Sequence, residues 1–197
     1  MNNITKPNNY LKDIELTIGF CGSRLSGKDF TADLISKYTS IPKMSLADPI
    51  KEQYSKLMDI PLSSLYEQGE HKEMHRLGLI TLGALRRSDH IDWWCEALHE
   101  QVQGKKILIP DIRFTNEVEY FENNSSLFLL FEVSANEKTL KKRGWVQSFA
   151  DSTSTETERL AFNNKINHHF DTSLWDGKSE EQQIKDTLDK FNIYFEN

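Results

Sequence analysis

Residues Gly22–Asp29 read G-S-R-L-S-G-K-D, and this stretch decides the fold of the chain. The apolar run Leu16–Cys21 comes directly before it, and Phe30–Ile35, whose apolar residues have helical spacing, comes directly after. The pattern G-x-x-x-x-G-K between a strand and a helix is typical of a phosphate-binding loop, or P-loop. Its glycines let backbone N–H groups point at phosphate oxygens, and the helix N-terminus adds partial positive charge. We therefore expect nucleotide phosphates to bind here.

The whole loop is expected to contact the nucleotide, mainly through its backbone: Gly22, Ser23, Arg24, Leu25, Ser26, Gly27, Lys28 and Asp29. Lys28 can reach the β and γ phosphates as a point charge, so it is a predicted catalytic residue. Asp29 stands where a serine or threonine usually offers its hydroxyl to Mg²⁺. A carboxylate is also a hard oxygen ligand, so Asp29 is either a metal ligand or a first-turn acid that stabilises the helix.

The composition is that of an ordinary globular protein. The 197 residues suit one domain, 1–197, with 38% hydrophobic and 27% charged residues. The net charge of −6 argues against a general binder of nucleic-acid polymers. Residues Met1–Asp13 are polar and no apolar run is long enough to span a bilayer, so we expect a cytoplasmic protein with no membrane partner. Cys21 and Cys95 are expected to be reduced and buried.

Strands alternate with helices along the chain. Strands are expected at Leu16–Cys21, Lys43–Leu46, Lys106–Pro110 and Leu127–Val133. This alternation predicts an α/β fold with three layers, αβα, around a central parallel sheet. The helical stretch 48–102 is too long for a plain crossover and is interpreted as an inserted substrate-binding subdomain. Residues from about 138 to 158 are expected to form a lid-like region.

Three charged residues follow predicted strands or helices where chemistry is expected. Asp111 ends the strand Lys106–Pro110, so it would lie beside the P-loop and hold Mg²⁺ or its water; the structural alternative is a turn aspartate. Arg113 lies two residues on and either reaches the same cleft or forms a salt bridge. Arg143 precedes a glycine at a helix end, where it either acts in a lid or simply stabilises the helix.

Further basic residues are candidates for binding the acceptor, because arginine forks suit phosphate groups. The candidates are Lys51, Arg76, Arg86, Arg87 and Arg113, together with Trp94. Trp94 either stacks on a base or belongs to the core. The spacing of Leu77, Ile80 and Leu85 predicts a buried stripe on the same helical stretch.

Several of these residues resemble the motifs of the deoxynucleoside monophosphate kinase family. The P-loop has the family's S-G-K-D ending, and Leu82-Gly83, Arg87 and Asp92-x-Trp94 resemble its L-G-x-x-x-x-R…D-x-W pattern, shortened here by one residue. This shortening leaves open whether Arg86 or Arg87 corresponds to the family's arginine. The segment Asp111–Glu117 is similar to the family's D-x-R-F-x-N-E.

Other segments resemble animal-type phosphomevalonate kinases. They are Gly27–Phe30, Ile50–Tyr54 and Arg143–Trp145. Both families use ATP and Mg²⁺ to phosphorylate a phosphate monoester, so the resemblance implies a kinase with a small-molecule acceptor. A deoxynucleoside monophosphate is the first expectation for that acceptor, and 5-phosphomevalonate is the alternative.

A non-catalytic P-loop protein, such as a GTP switch, is a second alternative. A GTPase should carry N-K-x-D for guanine selection, whereas Asn164-Lys165 continues Ile166-Asn167. This difference favours a kinase. The sequence is compatible with either a monomer or a homodimer.

Overall fold

A central sheet of four parallel strands organises the chain. The structure is a computed structural model that describes residues 14–66, 70–145, 163–177 and 179–193. The strands are β1 (Ile14–Cys21), β2 (Lys106–Ile109), β3 (Ser125–Ser134) and β4 (Ile166–Asp171), in the spatial order β2-β1-β3-β4. Beyond β2, Lys43 makes a single parallel bridge to Leu108, so the strand predicted at Lys43–Leu46 is reduced to one bridge.

In the described ranges, seven helices surround this sheet. They are α1 (Lys28–Thr39), α2 (Ala47–Met58), α3 (Glu70–Asp89), α4 (Trp93–His99), α5 (Thr115–Asn124), α6 (Glu137–Lys142) and α7 (Ser179–Lys190), with 3₁₀ turns at Leu62–Leu65 and Thr172–Leu174. The predicted three-layer α/β fold is confirmed. Of the predicted lid-like region, residues 146–158 lie outside the described residues. Within the described part of the chain, no helix has both the length and the apolarity needed to cross a bilayer.

Both faces of the sheet are covered by apolar side chains. On β2, Leu108 packs into the cluster that α1 and α7 complete, whereas Ile107 and Ile109 pack into the cluster beneath α4 and α5. This alternation follows from the period of two along a strand. Cys21 and Cys95 are both buried, as expected.

Strand β4 was not predicted, because its sequence I-N-H-H-F-D has little apolar signal. Its register is set by a few buried groups. Phe170 packs against Phe131 with ring centroids 5.8 Å apart, and Nε2 of His168 lies 3.1 Å from Oγ1 of Thr187 on α7. Burial lowers the pKa of His168, which favours the neutral form of its imidazole.

The insertion consists of α2, α3 and α4, which pack around Tyr54, Leu65, Leu82 and Trp94. Helix α3 meets α2 through Gly78, where an added Cβ would lie 2.4 Å from the Tyr54 hydroxyl oxygen.

The prediction of a buried stripe from Leu77, Ile80 and Leu85 is wrong. These side chains lie on the face of α3 opposite to the one that packs on α2. Leu77 is 70% exposed and Leu85 is 58% exposed. The helical spacing was correct, but spacing alone does not say which face another helix covers.

Trp94 belongs to the core of the insertion. It is 3% exposed, and its Nε1 donates a hydrogen bond to the Gly83 carbonyl oxygen at 3.0 Å. The assignment of Trp94 to the acceptor site is therefore wrong, since neither face of the indole is available to a ligand.

We expect Trp94→Phe to lower the free energy of unfolding by about 1–3 kcal/mol, because the buried Gly83 carbonyl would lose its partner. The matched control is Trp93→Phe, at a position that is 37% exposed, where the loss should stay below about 1 kcal/mol. Denaturant unfolding of both variants measures the difference. Equal losses would show that the Trp94 hydrogen bond does not stabilise the insertion.

Candidate active site

The P-loop connects β1 to α1 and needs glycine at two positions. Gly22 has φ of +138° and Gly27 has φ of +105°, in the region that side chains rarely adopt. A Cβ on Gly22 would lie 2.0 Å from the Val133 carbonyl oxygen of β3. The loop therefore packs tightly against the end of the neighbouring strand, as the motif predicts.

The residues of the loop fit a phosphate group. Within the part of the chain that the structure describes, no side chain caps the start of α1, so its first N–H groups are open to an anion. Ser26 Oγ is buried without a hydrogen-bond partner among the described residues, and Arg24 is half-buried in the same loop. Lys28 Nζ lies over the loop and donates to the carbonyl oxygens of Gly22 at 2.9 Å and Ser23 at 2.8 Å.

Arg143 lies against the outer side of this loop. The residue directly follows α6, and its Nη1 donates to the carbonyl oxygens of Leu25 and Ser26, each at 3.0 Å. The same Nη1 donates to Thr172 Oγ1 at 2.9 Å. The structure thus brings Arg143 to the P-loop, with bonds to backbone carbonyls. Thr172 was not predicted from the sequence, because the P-loop motif does not indicate a contact with a residue so far along the chain.

Asp29 lies on the exposed surface of the first turn of α1. Its side chain is 78% exposed, and its Oδ1 is 3.7 Å from Lys43 Nζ. Among the described residues, no three His, Cys, Asp or Glu side chains cluster as a ready metal site. An accessible carboxylate beside the P-loop fits an ion that keeps most of its own water, as Mg²⁺ does.

Asp111 connects the sheet to the helical insertion. Its carboxylate accepts hydrogen bonds from Ser45 Oγ at 2.6 Å, from the Leu46 N–H at 2.9 Å and from the Ala47 N–H at 3.0 Å. Both oxygens therefore satisfy the start of α2. The metal role of Asp111 stays a prediction, and the contacts observed here are those of an anchor.

Lys51 lies one turn into α2 and is held on two sides. Its Nζ is 3.1 Å from Asp48 Oδ1 and 3.9 Å from the centroid of the Tyr66 ring. The Tyr66 hydroxyl also donates to Asp48 Oδ1 at 2.9 Å. The side chain is 14% exposed, so its ammonium is positioned in advance and not freely solvated.

Arg86 and Arg87 point in different directions from α3. The Arg86 guanidinium lies 4.7 Å from the centroid of the Trp93 ring. When the Gln53 amide is oriented with its oxygen toward Arg86, this oxygen accepts a hydrogen bond from Arg86 Nη2 at 2.6 Å. The Arg87 guanidinium lies 4.3 Å from the centroid of the Phe114 ring, close to the carboxyl end of β2. Arg87 therefore lies against the segment that follows Asp111, whereas Arg86 faces Trp93 and Gln53. The remaining candidate of α3, Arg76, is half-buried.

Glu117 is a site residue to which sequence reasoning gave no role, although it closes the D-x-R-F-x-N-E segment. It is 5% exposed, and its Oε2 accepts hydrogen bonds from the Arg113 N–H at 2.6 Å and the Phe114 N–H at 3.0 Å. Burial raises the pKa of Glu117 to about 7 despite these two bonds, with the Asp111 charge adding to the effect. Glu117 thereby fixes the turn from which the Arg113 side chain, itself exposed, projects.

Comparison with known proteins identifies the family. Residues 20–126, more than half of the chain, match the sequence model of phosphomevalonate kinase. Phosphomevalonate kinase of Drosophila melanogaster is 21% identical over 132 residues, which cover 63% of this chain and 70% of that protein.

Two solved structures with the same fold are shikimate kinases. Shikimate kinase from Bacteroides thetaiotaomicron has a TM-score of 0.54 at 12% identity and covers 90% of this chain and 98% of its own. Shikimate kinase from Aquifex aeolicus has a TM-score of 0.52 at 14% identity with the same coverage. At these identities the likeness shows the fold alone.

The sequence match and the P-loop architecture agree on the type of enzyme. It is a kinase, a phosphotransferase that acts on a phosphate acceptor, and the chain belongs to the phosphomevalonate kinase family.

Proposed function

We propose that this protein transfers the γ-phosphoryl group of ATP to 5-phosphomevalonate in a Mg²⁺-dependent reaction. The observation that carries the proposal is the family match over residues 20–126, which include the P-loop and the whole insertion. The first expectation from the sequence, a deoxynucleoside monophosphate, has no comparable support. A non-catalytic role is disfavoured by the same match.

The aromatic residues of the insertion also favour an acceptor without a base. A nucleobase needs a free aromatic face or a set of polar groups at its edge. Trp94 is buried, and the rings of Trp93 and Phe114 each lie under a guanidinium group. 5-Phosphomevalonate has no ring, so it does not require such a platform.

The charges near the carboxyl end of β2 suit an acceptor with two anionic groups. Phosphomevalonate carries a phosphate at one end and a carboxylate at the other. Arg87 and Arg113 flank Phe114, and Lys51 is held in place on the helix that Asp111 anchors. Arginine forks and a positioned ammonium bind such groups well, and binding both ends would orient the phosphate for transfer.

Each part of the P-loop has a role in this reaction. Bound ATP supplies the phosphoryl group, and Mg²⁺ neutralises part of its charge. The backbone N–H groups of the loop and the start of α1 would bind the phosphates, and Lys28 would stabilise the charge that develops during transfer. Asp29 would hold the metal ion through water, whereas Asp111 would keep α2 and its Lys51 at the correct distance from the loop.

We expect Lys28→Ala to reduce kcat about a thousandfold, because a preorganised charge at the transferring group contributes several kcal/mol to the transition state. The control is Lys56→Ala, which removes an exposed lysine from α2 and should leave kcat unchanged. Steady-state kinetics on folded variants measures both. Near-normal turnover of Lys28→Ala would overturn the assignment of the loop.

The identity of the acceptor is tested by initial rates with ATP and two kinds of phosphate monoester. We expect turnover of 5-phosphomevalonate and none above background with the four deoxynucleoside monophosphates, because the family match supports the former acceptor. Turnover of any deoxynucleotide at a higher kcat/KM than phosphomevalonate would contradict the proposed substrate but not the kinase assignment.

Substitutions of the two neighbouring arginines of α3 should differ in their effect on the KM for the acceptor. We expect Arg87→Gln to raise the KM for the acceptor about tenfold to a hundredfold, through the loss of a charged hydrogen bond to an anionic group. Arg86→Gln should leave this KM within about twofold, since Arg86 is already occupied by Gln53 and Trp93. The reverse order would show that Arg86 contacts the acceptor.

A further inference from the structure

Two side chains from distant parts of the chain bond to the outward carbonyl groups of the P-loop. Arg143 Nη1 donates to the carbonyl oxygens of Leu25 and Ser26, each at 3.0 Å. Thr172 Oγ1 donates to the Ser26 carbonyl oxygen at 2.6 Å. Two consecutive peptide groups of the loop are thus held from outside.

Thr172 is itself fixed by the ends of β3 and β4. It begins the 3₁₀ turn after β4, is 2% exposed, and its Oγ1 lies 3.1 Å from the Ser134 carbonyl oxygen. Arg143 bonds to it twice, from Nη1 to Oγ1 at 2.9 Å and from Nη2 to the carbonyl oxygen at 3.4 Å. The P-loop, two strand ends and the end of α6 therefore meet at one guanidinium group.

The planarity of the peptide bond makes these contacts matter for phosphate binding. In a trans peptide the C=O and the N–H point in opposite directions. The Leu25 carbonyl shares a peptide group with the Ser26 N–H, and the Ser26 carbonyl shares one with the Gly27 N–H. Holding both carbonyls on the outside therefore turns both N–H groups toward the inside of the loop, where the Ser26 N–H donates to the Ser23 carbonyl oxygen at 3.2 Å. A cation on the carbonyls also polarises these N–H groups as donors.

We propose that Arg143 and Thr172 form a carbonyl brace, a pair of positioning residues that holds the P-loop in its phosphate-binding conformation before the nucleotide arrives. The proposal rests on the proposed function, because it assumes that nucleotide phosphates bind in this loop. In this role Arg143 acts on nucleotide binding through the P-loop backbone and not by direct contact with a phosphate. Without the brace, nucleotide binding must first order the two peptide groups, and affinity falls accordingly.

Thr172 separates the brace from a direct contact. Its hydroxyl is buried beneath the loop, so its removal acts on nucleotide binding through its protein partners, the Ser26 carbonyl and the Arg143 guanidinium. Thr172→Val removes the hydroxyl at nearly constant volume, and Thr172→Ser keeps it. Lys142→Ala is the control for Arg143→Ala, since it removes the adjacent exposed cation of α6.

The test measures the dissociation constant of MgADP by calorimetry, with no acceptor present. We expect Arg143→Ala to raise this constant about tenfold or more and Thr172→Val about fivefold, while Thr172→Ser and Lys142→Ala stay within about twofold. The double variant of Arg143→Ala and Thr172→Val should bind MgADP less than fivefold more weakly than Arg143→Ala, because both residues act on the same carbonyls. Amide hydrogen exchange of Ser26 and Gly27 in the nucleotide-free protein should be faster in Arg143→Ala.

Four results would count against the brace. Wild-type affinity in Thr172→Val together with weak binding in Arg143→Ala would mean that Arg143 contacts the nucleotide directly. If Thr172→Val does not fold, amide hydrogen exchange in Arg143→Ala serves as the test. Exchange rates of Ser26 and Gly27 equal to those of the wild type would then overturn the brace. Wild-type protein that binds no MgADP would overturn the proposed function and the brace with it, whereas wild-type binding with unaltered variants overturns the brace alone.

Discussion

The direction of the peptide groups in the P-loop is the constraint on which the rest of the structure depends. Backbone N–H groups can surround phosphates only if the attached carbonyls face the other way, and those carbonyls then need partners of their own. Glycines at positions 22 and 27 give the backbone this freedom, and the Val133 carbonyl leaves no room for a side chain on the first of them. Arg143 and Thr172 then satisfy the outward carbonyls. The loop thus requires the parallel sheet, since β3 and β4 supply its neighbours.

A second connection runs from the sheet to the helical insertion. Asp111 stands at the carboxyl end of β2, and its carboxylate fixes the start of α2 at three points. Lys51 follows one turn later and is held by Asp48 and Tyr66. On the other side of Asp111, Glu117 closes the turn that carries Arg113. The cations proposed for the acceptor are therefore set by short contacts to the same sheet edge that carries the P-loop.

Local patterns in the sequence were sufficient for three of the four strands and for the loop. The apolar strands beside Gly22 and before Asp111 are covered on both faces, so their composition alone distinguishes them. Strand β4 escaped prediction because its register depends on Phe131 and α7, which lie elsewhere in the chain.

Interactions between distant residues explain the remaining differences. Trp94 was assigned to the acceptor because its motif lies near other candidates, yet the Gly83 carbonyl 11 residues away holds it in the core. The face of α3 that is buried is the one that contacts Tyr54 of α2. Helical spacing alone does not identify this face. Arg143 was predicted as a site residue, but its contact with Thr172 was not. Thr172 reaches the P-loop because β4 ends beside it, and no local motif predicts this position.

The most direct test of the kinase assignment and its proposed acceptor is the fate of the phosphorus atoms. We would follow the ³¹P NMR spectrum of ATP, Mg²⁺ and 5-phosphomevalonate in the presence of the protein. We expect the γ-phosphate signal of ATP to decline as ADP appears, together with two mutually coupled resonances of a new diphosphate ester in equal amount. Conversion of ATP to ADP with inorganic phosphate as the sole new signal, or no change at all, would contradict transfer to the phosphate of this acceptor.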